Sequence, residues 1–427
     1  MQWVLLGLLV GIVACTAPAR EDSPAPPFRR LPVATYRDKM EAGWLGQMVG
    51  VSWGAPTEFH HQGSIIPPDE MPLWRDGLEN DAFAQDDLYV EMTFLRTLEQ
   101  HGISVSGHQA GIDFAMSLYP LWHANAAGRN NLRAGVAPPD SGHPQLNEHA
   151  DDIDYQIEAD FSGLIAPGLP NRVIALGETF GRLMNYGDGL YAGQFIGGMY
   201  AEAFFVKEPA HLVQAGLRCI PAASQYAEAI RDVLAWHREN PTDWEATWKK
   251  IEEKYNRKAE YRKFCCAGTG PGGFNIDAKL NGAYVVLGLL YGEGDLEETI
   301  LIATRAGQDS DCNPSSAAGV LFTTLGLASL PERYSRGLDR ERMFLHTEYS
   351  VTRLVAVCEK LARESVLHAG GRIEIDAKGE EVFLIPLEPP RPSALEQSWA
   401  PGPIAGSRYS EEEMARITAA VARTASE

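Results

Sequence analysis

The stretch Arg305–Gly326, "RAGQDSDCNPSSAAGVLFTTLG", sets Asp309 and Asp311 in front of a run of small and apolar residues. Before it, "GDLEETILIATRAG" has Ile300, Ala303 and Thr304 following Leu296 at helical spacing. Gly307 is a natural stop, because glycine tolerates the left-handed backbone just past a helix end. "SSAAGVLFTTLG" reads as the next helix, with Asn313 as its cap and Pro314 at its first position. The two aspartates therefore occupy a short loop at a helix N-terminus. One reading is capping, for which Asn313 alone suffices. The other is a pair of carboxylates at i and i+2 presenting oxygens to a hard cation. An EF-hand loop is excluded, because counting from Asp309 its sixth position is Pro314 and its twelfth Val320.

The chain has 427 residues, 45% hydrophobic and 22% charged, which suits a globular protein with a substantial core. Its net charge of -20 disfavours nucleic acid and anionic membrane surfaces as partners. "WVLLGLLVGIVAC" is too short to span a bilayer and ends in small residues. Ile12-Val13-Ala14-Cys15 is similar to a bacterial lipobox. Residues 1–15 are thus expected to be a lipoprotein signal, with export and membrane anchoring through lipidated Cys15 on the periplasmic or cell-surface side. Residues 16–33 read as a Pro-rich tether. Of the remaining cysteines, Cys219, Cys265, Cys266, Cys312 and Cys358, at least one must stay unpaired within the monomer. None has zinc spacing, and Cys265–Cys266 is read as core.

Helical stretches alternate with Gly/Pro-rich loops from Tyr36 to about Leu367, so an all-α body is expected over residues 34–367. Residues 368–427 add a β-hairpin turning near Lys378-Gly379, a loop, and a short helix opened by a Ser410/Glu413 capping box.

Acids gather elsewhere too. "EAGWLGQMVGVSWGAPTEF" carries Gly43, Gly46, Gly50 and Gly54 at helical spacing, a stripe that implies close approach of another helix, and then displays Glu58. "QDDLYVEM" opens a helix with Asp86 and Asp87, which the helix dipole alone would favour. In "HADDIDYQIEADFSGLIAPG", Asp160 falls on the apolar stripe of Ile153, Ile157 and Leu164, where a carboxylate needs a partner or a task. Asp154 and Glu158 read as a solvated face, Asp188 as a turn residue, and His123, His143 and His149 as surface or hydrogen-bonding residues.

Taken in order, three of these segments resemble the ADP-ribosylglycohydrolase family. They are the Gly-rich helix ending at Glu58, the Asp86-Asp87 pair, and "GQDSDCNPSSAAG". The resemblance spans about Tyr36 to Leu330 and implies an all-α, orthogonally packed globule around two divalent cations, usually Mg, with Mn or Ca as alternatives. It implies that Asp86, Asp87, Asp309 and Asp311 are metal ligands, supported by Gln85 and Ser310. It further implies that Glu58 handles the attacking water at an anomeric carbon, with Asp160 as a further base or stabiliser. Trp53, Tyr155 and Phe161 lie near these motifs and are candidates to stack on a sugar or base. Three departures stand out. Leu88 replaces an expected threonine, Cys312 replaces a hydroxyl, and "IEADFSGLIAPG" occupies the place of the substrate loop. The implied function is metal-dependent hydrolysis of a glycosidic bond in a small molecule or glycan. The alternatives are an exported glycosidase acting on another sugar or nucleoside, and a non-catalytic scaffold like the lens crystallin of this family.

Overall fold

The computed structural model describes residues 27–267 and 273–424. The lipobox reading, with Cys15, lies outside them. Among the described residues no helix is long and apolar enough to cross a membrane.

Helices dominate. Those that build and frame the site are α1 (Val33–Gly54), α2 (Asp86–His101), α3 (His123–Arg133), α4 (Asp154–Ile157), α5 (Asp160–Leu164), α6 (Gly187–Ala203), α7 (Ala278–Tyr291), α8 (Leu296–Arg305), α9 (Cys312–Leu325), α10 (Val351–His368) and α11 (Glu411–Thr424). Further helices, among them Pro170–Phe180 and Gln225–Glu239, complete the body. One small antiparallel sheet accompanies them, in the order β1 (Phe28–Pro32), β3 (Glu381–Pro386), β2 (Arg372–Ile375). The expected hairpin is thus present, but its central strand also pairs with β1, Leu31 opposite Phe383. The last part of the Pro-rich stretch is therefore a strand. Phe28 and Leu31 supply side chains that a solvated tether would leave unburied.

α9 is buried along nearly its whole length and α1 from Ala42 to its end, as expected of helical stretches without a strongly polar face. They run antiparallel and in close contact. Gly46 meets Ala318 and Gly319, Gly50 meets Pro314, and Gly54 meets Ser310. A β-carbon on Gly46 would lie 2.6 Å from the Ala318 carbonyl oxygen. The glycine stripe is thus a packing seam, and it brings the end of α1 to the start of α9.

Local details differ from the sequence expectation in two places. α9 begins at Cys312 with Asp311 at the cap position, so Pro314 stands within the first turn and Asn313 instead donates to Asn281 at 3.0 Å. The Ile153–Leu164 stripe is broken into α4 and α5 around Glu158 and Ala159. The break lets Glu158 turn inward to Asn125 and lets the Phe161 amide donate to Glu91 at 2.5 Å.

The chain after β3 straps across the helical body. Ala405 and Ser407 amides donate to Asp140, both at 2.8 Å, and Ser398 donates to Asp151 at 2.5 Å. α11 then docks through buried Ile417, with the Ser410/Glu413 capping box formed as expected.

Candidate active site and metal centre

The glycine seam determines what stands beside what. Just past α1, the Phe59 amide donates to the Gln308 carbonyl at 3.0 Å and the Gln308 amide donates to the His61 carbonyl at 2.9 Å. Thr57 and Ser310 hydroxyls share a hydrogen bond of 2.8 Å. The loop carrying Glu58 is thereby stitched to the loop carrying Asp309 and Asp311. Ser310, expected to support the metal ligands, serves as that stitch. From the other side, Ser315 on α9 donates to Asp87 at 3.1 Å, which brings the start of α2 to the same place.

These elements open onto a cavity of about 510 Å³ lined by Glu58, Gln85, Asp86, Asp154, Asp309 and Cys312, with Phe59, Tyr89, Trp122 and Phe274 among its aromatic walls. Among the described residues, no lysine or arginine lines it. The negative charge is therefore uncompensated, and every acid there resists ionisation. Partial loss of bulk water, then Asp311 and Asp86, push Glu58 up to about 8. Burial, then Asp311, pushes Asp86 up to about 6. Burial, then Asp86 and Asp311, holds Asp87 well above the carboxylate range. Asp309 is raised by burial and then by Asp311, and Asp311 by burial.

Two carboxylate oxygens in this cluster are buried without a hydrogen-bond partner, Asp309 Oδ1 and Asp311 Oδ1. Ligand atoms of Asp309, Asp311 and Cys312 all lie within 4.8 Å of one another. Orphaned anionic oxygens in a dry, acid-rich pocket are the donor set that a hard divalent cation satisfies. The residues present therefore fit such an ion. Asp86 faces the same cavity. Asp87 lies behind it, its carboxylate accepting from Ser315 and from the Leu88 amide at 3.0 Å. Cys312, which stands where the family resemblance expects a hydroxyl, lines the cavity, with its thiol raised by burial and then by Asp309.

Several expected contacts fall elsewhere. Asp160 does not line the cavity. It sits deeper, accepting from Tyr200 at 2.9 Å and from Ser316 at 3.4 Å, and its charge acts on Asp87 from behind. Trp53 packs against Trp74 and donates to the Pro72 carbonyl. Tyr155 and Phe161 are fully buried, Phe161 against Phe94 and Phe180. All three are core side chains rather than substrate platforms, because the helices carrying them turn those faces into the bundle. The aromatics that do face the cavity are Phe59, Tyr89, Trp122 and Phe274, and Trp122 keeps 53% of its surface exposed.

Sequence reading also missed Asp154, taken as solvated. It is buried and accepts from the Ala124 and Asn125 amides at the start of α3, at 3.2 and 2.8 Å. Burial nonetheless pushes it up to about 7. Asp188, read as a turn residue, is part of a buried cluster in which Lys279 lies 3.0 Å from Asp277, 3.6 Å from Asp151 and 3.8 Å from Asp188. Gln308 was overlooked as well. Its side chain accepts from the Asn275 amide and donates to the Gly273 carbonyl, both at 3.0 Å, fixing the wall that carries Phe274. Its one sequence signal is its place between Gly307 and Asp309.

Comparison with known proteins places this geometry. No curated protein matches the sequence. A solved structure described as an ADP-ribosylglycohydrolase-related protein complex is 17% identical, covering 78% of this chain and 99% of that chain at a TM-score of 0.49. The family model for ADP-ribosylglycohydrolase matches residues 32–369, a span that contains Glu58, both aspartate pairs and the cavity lined by Glu58, Asp86 and Asp309. On that match, the chain belongs to the ADP-ribosylglycohydrolase family.

Proposed function

We propose that the protein is a metal-dependent hydrolase that cleaves a glycosidic bond at an anomeric carbon, with ADP-ribosyl compounds as its first candidate substrates. The observation that carries this reading is the pairing of Asp309 and Asp311, each with an unpartnered buried oxygen, at a cavity lined by Asp309, Glu58 and Asp86. In this reading Asp86, Asp87, Asp309 and Asp311 hold two divalent cations, magnesium being the first candidate for an oxygen donor set. Such ions supply Lewis acidity toward a bound water and a seat for vicinal sugar hydroxyls.

The protein's own groups do the rest. Glu58 reaches the cavity from the end of α1 and holds or releases a proton in the neutral range, as a general base for water requires. Asp160 lies behind Asp87 and acts as a positioning residue through Tyr200 and Ser316. Phe59, Tyr89, Trp122 and Phe274 offer flat apolar surface for a sugar face or base. Asp154 fixes the start of α3 and with it the Trp122 side of the cavity.

The test is a hydrolysis panel of ADP-ribosyl substrates, nucleosides and simple glycosides, run with Mg²⁺, Mn²⁺ or chelator, on the wild type and Asp309→Ala. Cation-dependent release of a free sugar, lost in the variant, supports the reading. A wild type that neither binds these ions nor hydrolyses any member of the panel sinks it. A second reading, an exported glycosidase acting on a different sugar, is favoured by the apolar leader ending at Cys15. The same panel separates the two by which glycoside is consumed.

A further inference from the structure

A second cluster of metal-competent side chains stands beside the carboxylate centre and differs from it in chemistry. His123, His149 and Cys266 each offer a ligand atom, and these atoms lie within 4.8 Å of one another. They come from three separate pieces of chain: the start of α3, the loop before α4, and the segment that precedes α7. Their positions are fixed from behind by Asp152, which is fully buried. Asp152 Oδ2 pairs with His149 Nδ1 at 2.9 Å and lies 3.8 Å from His123 Nδ1. Asp152 Oδ1 accepts from the Cys266 amide at 2.7 Å. One carboxylate thus holds two of the three residues by hydrogen bonds and approaches the third.

The arrangement has the form of a metal site. A carboxylate that accepts the Nδ1 hydrogen of histidine leaves the lone pair on Nε2 and fixes the ring, the usual outer-shell arrangement behind a metal-bound imidazole. The three ligand residues are half-buried, His123 and His149 with 25% and 24% of their side-chain surface exposed, so an ion can enter from solvent. The Cys266 backbone is pinned on its far side as well, its carbonyl accepting from Ile276 at 3.1 Å. His123 takes a backbone φ of +42°, a conformation that non-glycine residues adopt only where the surroundings impose it.

We propose that His123, His149 and Cys266 bind one zinc ion, with Asp152 as the residue that positions them. Two imidazoles and a thiolate form a borderline-soft set that prefers zinc over magnesium or calcium, and three protein ligands leave one coordination position open. Cys266 enters as the thiolate, and its proton leaves to solvent on binding. His123 also lines the main cavity, stacking on Phe274 at 5.9 Å, and Phe274 in turn meets Phe59 at 4.9 Å. An ion there fastens Cys266 to the cavity wall beside His123 and orders the aromatic face that Phe274 and Phe59 form. This inference does not depend on the hydrolase reading.

The experiment uses the full chain, stripped with chelator and titrated with Zn²⁺ alone, then with Co²⁺ as an optical probe. One equivalent of zinc is expected, together with a thiolate-to-cobalt charge-transfer band. Cys266→Ser and His149→Ala should lose the band and more than about a hundredfold in zinc affinity, and Asp152→Asn about ten- to a hundredfold. Cys312→Ser and Asp309→Asn, which alter only the carboxylate centre, should keep both. Absence of the band in the wild type, its survival in Cys266→Ser, or its loss in Cys312→Ser overturns the proposal. If a variant fails to fold by circular dichroism, X-ray absorption on the zinc-loaded wild type decides. One sulfur with two imidazole shells upholds the site, and a shell of oxygens alone overturns it.

Discussion

Asp309 illustrates what the cavity demands of a single residue. Its carboxylate is buried, raised by Asp311, and has an oxygen without a partner. Replacing it with asparagine removes a charge that the metal-free fold must otherwise protonate or tolerate. Asp309→Asn should therefore stabilise the chelator-treated protein by on the order of 1 kcal/mol, while abolishing the rise in melting temperature that Mg²⁺ or Mn²⁺ gives the wild type. Thermal melts with and without cation check both halves. The same acids set a pH dependence. Glu58 at about 8, Asp154 at about 7 and Asp86 at about 6 hold protons in the folded state that the unfolded chain has already released above about 4.5. More protons bound in the native state mean that stability falls as pH rises. The metal-free protein should thus lose stability between about pH 5 and 8, and saturating cation should flatten that slope. Urea midpoints across this range measure it. At this scale the aspartate pairs were legible, because carboxylates at a helix start advertise themselves. Asp154 was not, because its partners are backbone amides of a helix thirty positions earlier, which no local pattern records.

At the scale of elements, the α1–α9 seam was legible and the broken α4–α5 stretch was not. Glycines at helical spacing have one structural use, close approach, and Gly46, Gly50 and Gly54 serve it. A stripe of Ile153, Ile157 and Leu164 fits a continuous helix equally well, and only the inward demands of Glu158 and Phe161 decide otherwise. Gly46→Ala forces the helices apart and should cost about 1–3 kcal/mol, with a larger proportional loss in cation affinity, because Glu58 and Asp309 ride on opposite sides of that seam. Calorimetry paired with metal titration separates the two effects. α11 makes a different prediction. Glu413 accepts from the Ser410 amide and hydroxyl and pairs with His108 at 2.9 Å, which brings it down to about 2. A depressed carboxylate stabilises the fold above its unfolded value of about 4.5, and that contribution is lost as pH falls toward 2. The helix should detach before the body unfolds, seen as early hydrogen exchange confined to 411–424 in an acid series.

Across the whole molecule, the buried Lys279 cluster joins parts far apart in the chain. Lys279 and Asp277 stand at the start of α7, Asp188 on α6, and Asp151 on the loop before α4, where Ser398 of the strap also bonds. Lys279 is 1% exposed, so Lys279→Met strands three buried carboxylates and should cost about 3–5 kcal/mol, read as a lowered urea midpoint. The all-α class was visible from periodicity, and the order of the acidic motifs pointed to the family. The third strand, the strap and this ion cluster were invisible, because each depends on pairing between distant positions without a repeating signature.

The seam between α1 and α9 has one more consequence. Both helices carry a half of the candidate centre at their adjoining ends, and the α1 glycines each seat a different residue of the Ser310–Thr323 stretch. Adding or deleting one residue within either helix turns everything beyond it by about 100°. Such a change would swing Glu58 away from Asp309 even if every side chain in the cavity were retained. Descendants of this chain can therefore change side chains along the seam more readily than they can gain or lose a residue between Gly43 and Gly54 or between Ser310 and Gly319.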